Sequence, residues 1–356
     1  MTDKHRQGIL LVNTGTPAAP TPEAVRAYLS QFLMDRRIVP MNRTAWWFIL
    51  HLFILPRRSR RSAAKYASIW GEKGSPLLVT QEELKCALQR AFEEGEPARP
   101  ERLEEPGRVV VANGMSFGEP SIIAALEGLR LAGCERLLVL PLYPQSAFST
   151  TAVVRDALQP ALAALGWETS WQLIDNYHDN PAYVQAVAET VREAGFIPGS
   201  RDRLLFSYHS IPLKDLAAGD SYAQQCETSS RGIAAALGIG QGQWAIGYQC
   251  RFDRGRDWLA PFTKDMLAGW AKEEGPEGGG RVFLVCPGFA LDCLETLYDV
   301  PQELQPHYQA ACAATGNPGQ QGDFVYVPCL NSGRPHVRAL CAVVADSLNA
   351  PVPPEE

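Results

Sequence analysis

Short apolar runs rich in β-branched residues alternate with helical patterns along almost the whole chain, and this alternation constrains the fold more than any other feature. Continuous apolar runs of this length are typical of strands buried on both faces of a parallel sheet. Such alternation predicts an α/β protein with doubly wound sheets. The predicted strands are Ile9–Asn13, Val109–Asn113, Leu137–Leu142, Ser170–Ile174, Leu204–Tyr208, Trp244–Tyr248, Val282–Cys286 and Phe324–Val327.

The strands fall into two sets of four, with a helical pattern in most of the gaps. The predicted helices are Pro22–Leu33, Thr80–Glu94, Ser121–Ala132, Ala152–Leu165, Pro181–Ala194, Tyr222–Leu237, Ala260–Glu273 and Val337–Leu348. This pattern predicts two similar Rossmann-like halves, each a four-stranded parallel sheet flanked by helices, with a cleft between them. We expect residues 1–176 to form the first half, with the C-terminal helix 331–350 packing back on it, and residues 177–330 to form the second.

Length and charge limit the class of protein. The 356 residues suffice for two α/β units with substantial cores, and the net charge of −6 predicts no nucleic-acid partner. The residues before the first strand do not form an export signal, so a cytoplasmic protein is expected. The nine cysteines form no C-x-x-C pair, which argues against a zinc ribbon or a redox dithiol and favours reduced thiols.

One segment departs from the alternating pattern. The stretch Trp46–Leu55 is strongly apolar and is followed by Arg57, Arg58, Arg60 and Arg61. It is shorter than the ~20 residues that a membrane-spanning helix needs. It could be a buried helix of the first half, or an apolar lip, residues 44–61, that dips into one leaflet with its arginines on anionic headgroups. Adjacent tryptophans and the basic flank favour the lip.

Two stretches about eighty residues apart carry the candidate chemistry. His209 follows one predicted strand, and the acids Asp292, Glu295 and Asp299 follow another. If the acids lie on an α-helix, their spacing puts them on one face. Imidazole titrates near neutral pH and carboxylates bind hard or borderline cations, so the pattern suits an enzyme that moves protons and a metal ion. A solvated helix face and a structural histidine are the alternatives.

An ordered set of motifs resembles the ferrochelatases, which insert ferrous iron into a porphyrin to make haem. The motifs are Gly8–Pro17, Gly74–Leu77, Pro141–Gln145 with Ser149–Thr151, His209–Pro212, Gly219–Tyr222, Trp258–Pro261, and Pro287–Phe289 with Asp292–Thr296. The resemblance implies that His209 and Glu295 face each other across the porphyrin as the catalytic and metal-contacting pair. It does not decide which of them takes protons and which escorts the metal. Asp292 and Asp299 would extend the acid row as a path for metal or protons.

The same resemblance implies the porphyrin contacts. They are Thr14, Arg36, Tyr143, Ser149, Tyr222, Cys250 and Trp258. Two positions depart from many ferrochelatases: Ser116 stands where they have arginine, and Cys250 where they have serine. Both departures weaken propionate recognition by the usual residues, so coproporphyrin stays open as the substrate. The long segment 44–61 resembles the protoporphyrin-type enzymes, and we therefore favour protoporphyrin.

The resemblance also bears on cofactors and partners. Some ferrochelatases carry a [2Fe–2S] cluster with one ligand inside the Tyr-Pro-Gln motif; here that position is Phe148, so we expect no cluster and no other resident cofactor. The expected partners are a porphyrin, ferrous iron and the inner face of the cytoplasmic membrane, with the protein a monomer or a homodimer. A cobalt or other tetrapyrrole chelatase is the nearest alternative, and a non-catalytic two-lobed protein that binds haem or a metal is the distant one.

Overall fold

The computed structural model describes residues 6–94, 108–249, 251, 253, 255–273, 280–315 and 323–349. It divides into two compact units. Unit 1 comprises Met1–Tyr177 together with Ser332–Glu356, and unit 2 comprises His178–Asn331. The C-terminal segment therefore belongs to the same compact unit as the N-terminal half.

Unit 1 is built on a parallel sheet of four strands in the order β2-β1-β3-β4. These strands are β1 (Gln7–Asn13), β2 (Val109–Met115), β3 (Arg136–Pro141) and β4 (Ser170–Leu173). Its helices are α1 (Pro22–Met34), α2 (Arg43–Ile49), a π-helix π1 (Leu50–Ile54), α3 (Leu55–Ile69), α4 (Pro76–Glu94), α5 (Ile122–Leu131), α6 (Thr151–Ala164) and α12 (Arg334–Asn349).

Unit 2 repeats this plan, with a parallel sheet in the order β6-β5-β7-β8. Its strands are β5 (Arg203–Tyr208), β6 (Trp244–Tyr248), β7 (Val282–Val285) and β8 (Phe324–Val327). Its helices are α7 (Pro181–Glu193), α8 (Leu213–Ala217), α9 (Tyr222–Leu237), α10 (Thr263–Glu273), a π-helix π2 (Glu295–Leu304) and α11 (Gln305–Ala314).

The strand order places a topological switch point in each sheet. From β1 the chain moves to β2 on one side and then returns to β3 on the other side, so the order reverses between β1 and β3. The same reversal lies between β5 and β7 in unit 2. In open α/β sheets, ligands bind in the crevice beyond the carboxyl ends of the strands at such a point. Each unit therefore has one preferred place for a site.

Apolar side chains on the two faces of each sheet form the cores. Every residue of β1 is buried, and one cluster joins Leu10 and Val12 of this strand to helices α5 and α6. In unit 2 a second cluster joins Leu205 and Leu284 to helices α10 and α11. Helix α12, the last helix in the described part of the chain, packs against α4 and has seven buried residues.

The prediction of two four-stranded parallel sheets flanked by helices is confirmed. All eight predicted strands are present, and their ends differ from the prediction by at most two residues. The acid stripe is different, because Asp292 precedes the helix and π2 begins at Glu295. In π2 the N–H of Gln305 bonds to the carbonyl of Val300, five residues back, which is the π pattern. The prediction that Asp292 shares an α-helical face with Glu295 and Asp299 is therefore wrong.

Proline explains why the helix is not α-helical at this point. Pro301 lies inside π2 and Pro306 follows its end. Neither has an N–H to give to the carbonyl four residues back, so the α-helical ladder is interrupted twice. The i→i+5 ladder of π2 leaves Glu295 and Asp299, which are four residues apart, close to one face of the helix.

Candidate active site

His209 is the first residue after β5, at the switch point of unit 2. It is half-buried, whereas its neighbours Tyr208 and Ser210 are almost fully buried. Tyr208 bonds through its hydroxyl to Ser230 Oγ at 2.9 Å and to the Cys226 carbonyl at 3.1 Å. Buried flanking residues thus fix the backbone at the strand end and leave the imidazole partly accessible.

The loop that carries His209 is tied to the segment Asp257–Leu259. Ser210 Oγ donates to the Leu259 carbonyl at 2.9 Å, and the Leu259 N–H donates to the Ile211 carbonyl at 2.9 Å. Pro212 and Trp258 form an isolated antiparallel bridge. Trp258, one of the predicted porphyrin contacts, therefore lies beside the His209 loop and is 8% exposed.

The loop after β7 leads to Glu295, so that Glu295 follows the second strand of the same switch point. Tyr183 donates its hydroxyl to the Pro287 carbonyl at 2.6 Å, and the Phe289 N–H donates to the Cys286 carbonyl at 3.0 Å. These bonds turn the chain out of the sheet. Glu295 is half-buried at the first turn of π2. An imidazole and a carboxylate thus come after the two neighbouring strands of the switch point, beyond which open α/β sheets bind their ligands.

Burial controls the protonation of the groups around this crevice. It raises the pKa of the Cys293 thiol well above its usual value, and the nearby Glu295 carboxylate raises it further. It also raises the pKa of the Tyr222 hydroxyl well above its usual value, with additional contributions from Cys226 and Tyr248. Tyr222 lies on α9 and is 6% exposed. These groups are therefore proton-bearing donors at neutral pH.

Unit 1 presents hydroxyl groups at its own switch point. Thr14 follows β1 and Tyr143 follows β3, and Thr14 Oγ1 lies 2.8 Å from Tyr143 Oη. Gly15 comes next with φ of 109°, and a Cβ atom there would lie 1.7 Å from the Phe117 carbonyl oxygen. Glycine is therefore required by both the backbone angle and the close approach. Thr14 and Tyr143, two of the residues predicted to contact the porphyrin, are thus hydrogen-bonded to each other.

The remaining predicted contacts of unit 1 lie near α6. Ser149 is half-buried just before this helix, and Arg36 is exposed in the loop after α1. The neighbouring Arg37 pairs with Asp156 of α6 through two hydrogen bonds of 2.8 and 3.0 Å. This pair joins the Arg36 loop to the helix that Ser149 precedes. The predicted contact Cys250 lies outside the described residues.

The acid that was predicted to extend the metal path lies in a different environment from Glu295. Asp292 is 8% exposed, and its carboxylate accepts hydrogen bonds from three side chains, Thr296, Tyr326 and Asn331. Sequence reasoning missed these donors: Thr296 lies in a quoted motif but was given no role, and Tyr326 and Asn331 come from β8 and the loop after it, where no motif was seen. Among the described residues, no group of three or more His, Cys, Asp or Glu side chains is arranged to hold a metal ion.

The apolar segment of unit 1 has two different faces. Trp46, Leu50 and Leu55 are buried, whereas large apolar side chains on the other face are exposed. These exposed side chains are Trp47, Phe48, Ile49, Leu52 and Phe53, at 38–63% of their full surface. The segment is formed by α2 and π1 and leads into the arginine-rich helix α3. No helix in the described part of the chain combines the length and apolarity needed to cross a membrane.

Solved structures of chelatases share this arrangement of two sheets. The sirohydrochlorin chelatase SirB of Bacillus subtilis subspecies spizizenii, solved in complex with cobalt, matches with a TM-score of 0.52 and 12% identity, over 97% of this chain and 96% of that chain. A Deinococcus radiodurans multi-domain protein described as similar to chelatases matches with a TM-score of 0.52 and 12% identity, over 96% of this chain and 55% of that chain. At this identity the likeness shows the fold alone, which is that of the chelatases.

Sequence comparison then identifies the family. The family model Ferrochelatase matches residues 6–348. The ferrochelatase of Nitrosococcus oceani is 41% identical over 95% of this chain and 86% of its own length, and that of Aromatoleum aromaticum is 40% identical over 99% and 92%. The chain belongs to the ferrochelatase family. It is therefore a haem-type chelatase, an enzyme that inserts a metal ion into a tetrapyrrole.

Proposed function

We propose that this enzyme inserts Fe²⁺ into protoporphyrin IX, giving protohaem and two released protons, as the final step of haem biosynthesis. The observation that carries the proposal is the position of His209 and Glu295 after β5 and β7, the two strands that flank the switch point of unit 2. Family membership supplies the class of reaction, and the site supplies a base and an anionic metal contact within one unit.

The charge balance of the reaction explains why this pair of residues suits it. One divalent cation enters the macrocycle and two N–H protons leave it, so the net charge of the porphyrin core does not change. A neutral imidazole accepts a proton, and a carboxylate either accepts one or contacts the ion. Only two such side chains contacting the ion would hold it weakly, which suits a metal that must be passed on rather than kept.

The porphyrin contacts belong to the same proposal. Thr14, Tyr143, Ser149 and Arg36 of unit 1, and Tyr222 and Trp258 of unit 2, would bind the macrocycle or its propionates, and so would Cys250. Support comes from the position of Thr14 and Tyr143 at the switch point of unit 1 and of Trp258 beside the His209 loop. An exposed guanidinium such as that of Arg36 suits a carboxylate ligand.

We also propose that the apolar segment contacts the cytoplasmic face of the membrane and captures porphyrin there. Its exposed Phe48, Leu52 and Phe53 form an apolar surface beside the exposed arginines of α3. An amphipathic segment of this composition lies in the interface between headgroups and acyl chains, where anionic lipids attract its cations. Such a surface would let an apolar macrocycle enter the protein without crossing water.

The decisive experiment is an anaerobic insertion assay with purified enzyme. Protoporphyrin IX, coproporphyrin III and sirohydrochlorin would each be incubated with Fe²⁺, Zn²⁺ or Co²⁺, and metal insertion followed by the Soret and Q bands. The proposal expects the highest kcat/KM for Fe²⁺ with protoporphyrin IX. A higher kcat/KM for coproporphyrin III would identify a coproporphyrin chelatase, and a higher kcat/KM for Co²⁺ would identify a cobalt chelatase. Tight binding of porphyrin without insertion would identify a binding protein.

A further inference from the structure

The environment of Asp292 indicates a second layer of residues behind the candidate site. Its Oδ1 accepts from Thr296 Oγ1 at 2.8 Å and from Tyr326 Oη at 2.5 Å, and its Oδ2 accepts from Asn331 Nδ2 at 2.7 Å. The Asp292 N–H in turn donates to Asn331 Oδ1 at 2.9 Å. The side chain is almost fully buried. The Asp292 carboxylate is thus buried and hydrogen-bonded through both of its oxygens, which is the environment of a structural carboxylate.

The three donors come from different parts of unit 2. Thr296 is in the first turn of π2, Tyr326 is in β8, and Asn331 lies in the loop after β8. Asp292 therefore joins the beginning of π2 to the edge strand of the sheet. Burial raises the pKa of the Tyr326 hydroxyl well above its usual value, and Cys329, Cys286 and Asp292 raise it further, so this hydroxyl stays a donor at every working pH.

The same hydroxyl of Thr296 also fixes the loop that leads to Glu295. Thr296 Oγ1 accepts from the Cys293 N–H at 2.9 Å, and the Thr296 N–H donates to the Cys293 carbonyl at 3.3 Å. The residues on both sides of Glu295 are thus held by one hydroxyl that is itself held by Asp292. One backbone bond of the α-helical type, from the Leu297 N–H to the Cys293 carbonyl at 2.9 Å, spans the same turn, and the Thr296 hydroxyl adds a side-chain constraint to it.

We infer that Thr296, Tyr326 and Asn331 are positioning residues that act through Asp292 to hold Glu295 in its productive place at the crevice. Asp292 is then an anchor for π2 and does not carry metal or protons. The inference rests on the proposed function, since the role of Glu295 is taken from it. Misplacement of a reacting group by about 1 Å costs up to about a hundredfold in rate, so loss of the anchor lowers kcat.

Conservative variants separate this role from simple stability. Tyr326→Phe keeps the ring and removes one donor. Its control is Tyr308→Phe, because Tyr308 is fully buried in the same core cluster and packs against Phe324 of β8. Thr296→Val keeps the shape and removes the hydroxyl, and Thr296→Ser restores the hydroxyl. The measurements are kcat, KM for porphyrin and for the metal ion, and amide hydrogen exchange.

We expect kcat to fall about tenfold or more in Tyr326→Phe and Thr296→Val, with both KM values within about twofold of wild type. Thr296→Ser and Tyr308→Phe should keep the wild-type kcat. Amide exchange should become faster over Asp292–Leu304 in the two impaired variants and stay unchanged in β5 and β6.

Three results would overturn the inference. The first is an unchanged kcat in both Tyr326→Phe and Thr296→Val. The second is an equal loss of kcat in Thr296→Val and Thr296→Ser. The third is a raised KM for the metal ion, which would indicate that Asp292 lies on the path of the metal. In each of these cases an active wild-type enzyme leaves the proposed function standing. A wild-type enzyme that inserts no metal would overturn both.

Discussion

At the scale of single residues, His209 combines partial exposure with a rigidly held backbone. We expect His209→Ala to lower the insertion rate by about 10²–10⁴-fold, because it removes the proposed base or metal contact while the neighbouring hydrogen bonds remain. Thermal unfolding should show a folded protein. His307→Ala on α11 is the matched control and should keep full activity. Activity of His209→Ala above about a tenth of wild type would contradict the assignment.

Glu295 and Asp299 are close to one face of π2 but differ in their distance from the strand end. Glu295 is at the first turn, directly after the loop from β7, and Asp299 is four residues further. We expect Glu295→Gln to lower kcat nearly as severely as His209→Ala, and Asp299→Asn to be milder. Steady-state kinetics with Zn²⁺ and protoporphyrin would test the order. If Asp299→Asn were the more severe change, the crevice would lie further along π2 than proposed.

At the scale of elements, an ion pair between the buried Asp202 and the partly exposed Arg281 joins the beginning of β7 to the loop before β5. Asp202 accepts from Arg281 Nη2 at 2.6 Å, from the Arg281 N–H at 3.2 Å and from the Ile197 N–H at 3.2 Å. Burial by itself would raise the pKa of Asp202, but these hydrogen bonds outweigh it and the pKa is lowered. The carboxylate therefore stabilises the fold above its unfolded pKa of about 3.9, and that contribution is lost as the pH falls through the lower folded value.

We expect Asp202→Asn to lower the free energy of unfolding of unit 2 by about 1–3 kcal/mol at neutral pH. The difference from wild type should shrink as the pH falls below about 4, because the wild-type carboxylate is then protonated as well. Urea unfolding combined with amide exchange of β5 and β7 would measure it. Asp156→Asn, in a pair with both partners partly exposed, is the control and should cost below about 1 kcal/mol. A pH-independent difference would contradict the assignment.

The apolar face of α2 and π1 belongs to the same scale. Phe48, Leu52 and Phe53 are 52–63% exposed, so replacing all three with serine should leave the fold intact. We expect the triple variant to lose binding to phosphatidylcholine vesicles that contain phosphatidylglycerol and to show a raised KM for porphyrin, with kcat changed less. Vesicle co-sedimentation and kinetics are the measurements. Leu131→Ser with Ile197→Ser, at two other exposed apolar sites, is the control. Unchanged vesicle binding would contradict the membrane proposal.

At the scale of the whole molecule, the cysteines indicate what the purified protein should contain. The eight cysteines in the described part of the chain are free thiols, and burial raises the pKa of Cys226 and Cys329 well above the ordinary value. Protonated thiols are poor metal ligands, and Phe148 stands where cluster-bearing relatives are expected to have a ligand. We therefore predict no [2Fe–2S] cluster. A cluster signal in electron paramagnetic resonance, with stoichiometric sulfide, would contradict this.

The strands, the class of fold and the residues that follow the strand ends can all be predicted from local patterns in the chain. Buried parallel strands can be recognised as short apolar runs, because helices cover both faces of the sheet and exclude water from them. His209 was proposed because it directly follows such a run, and Glu295 because it belongs to the row of acids after another run. The motifs resemble those of the ferrochelatases, and the match to the family model confirms this resemblance.

The order of the strands in each sheet could not be predicted in this way and is known from the three-dimensional structure. The adjacency of β5 and β7, the two strands that precede His209 and Glu295, depends on pairing between residues about eighty positions apart. The burial of Asp292 depends on donors from β8 and the loop after it, and the exposed face of π1 depends on which side packs on unit 1. A local sequence pattern shows whether a segment has the periodicity of a helix or of a strand. The strand order, the burial of Asp292 and the exposed face of π1 instead arise from contacts between elements that are distant in the chain.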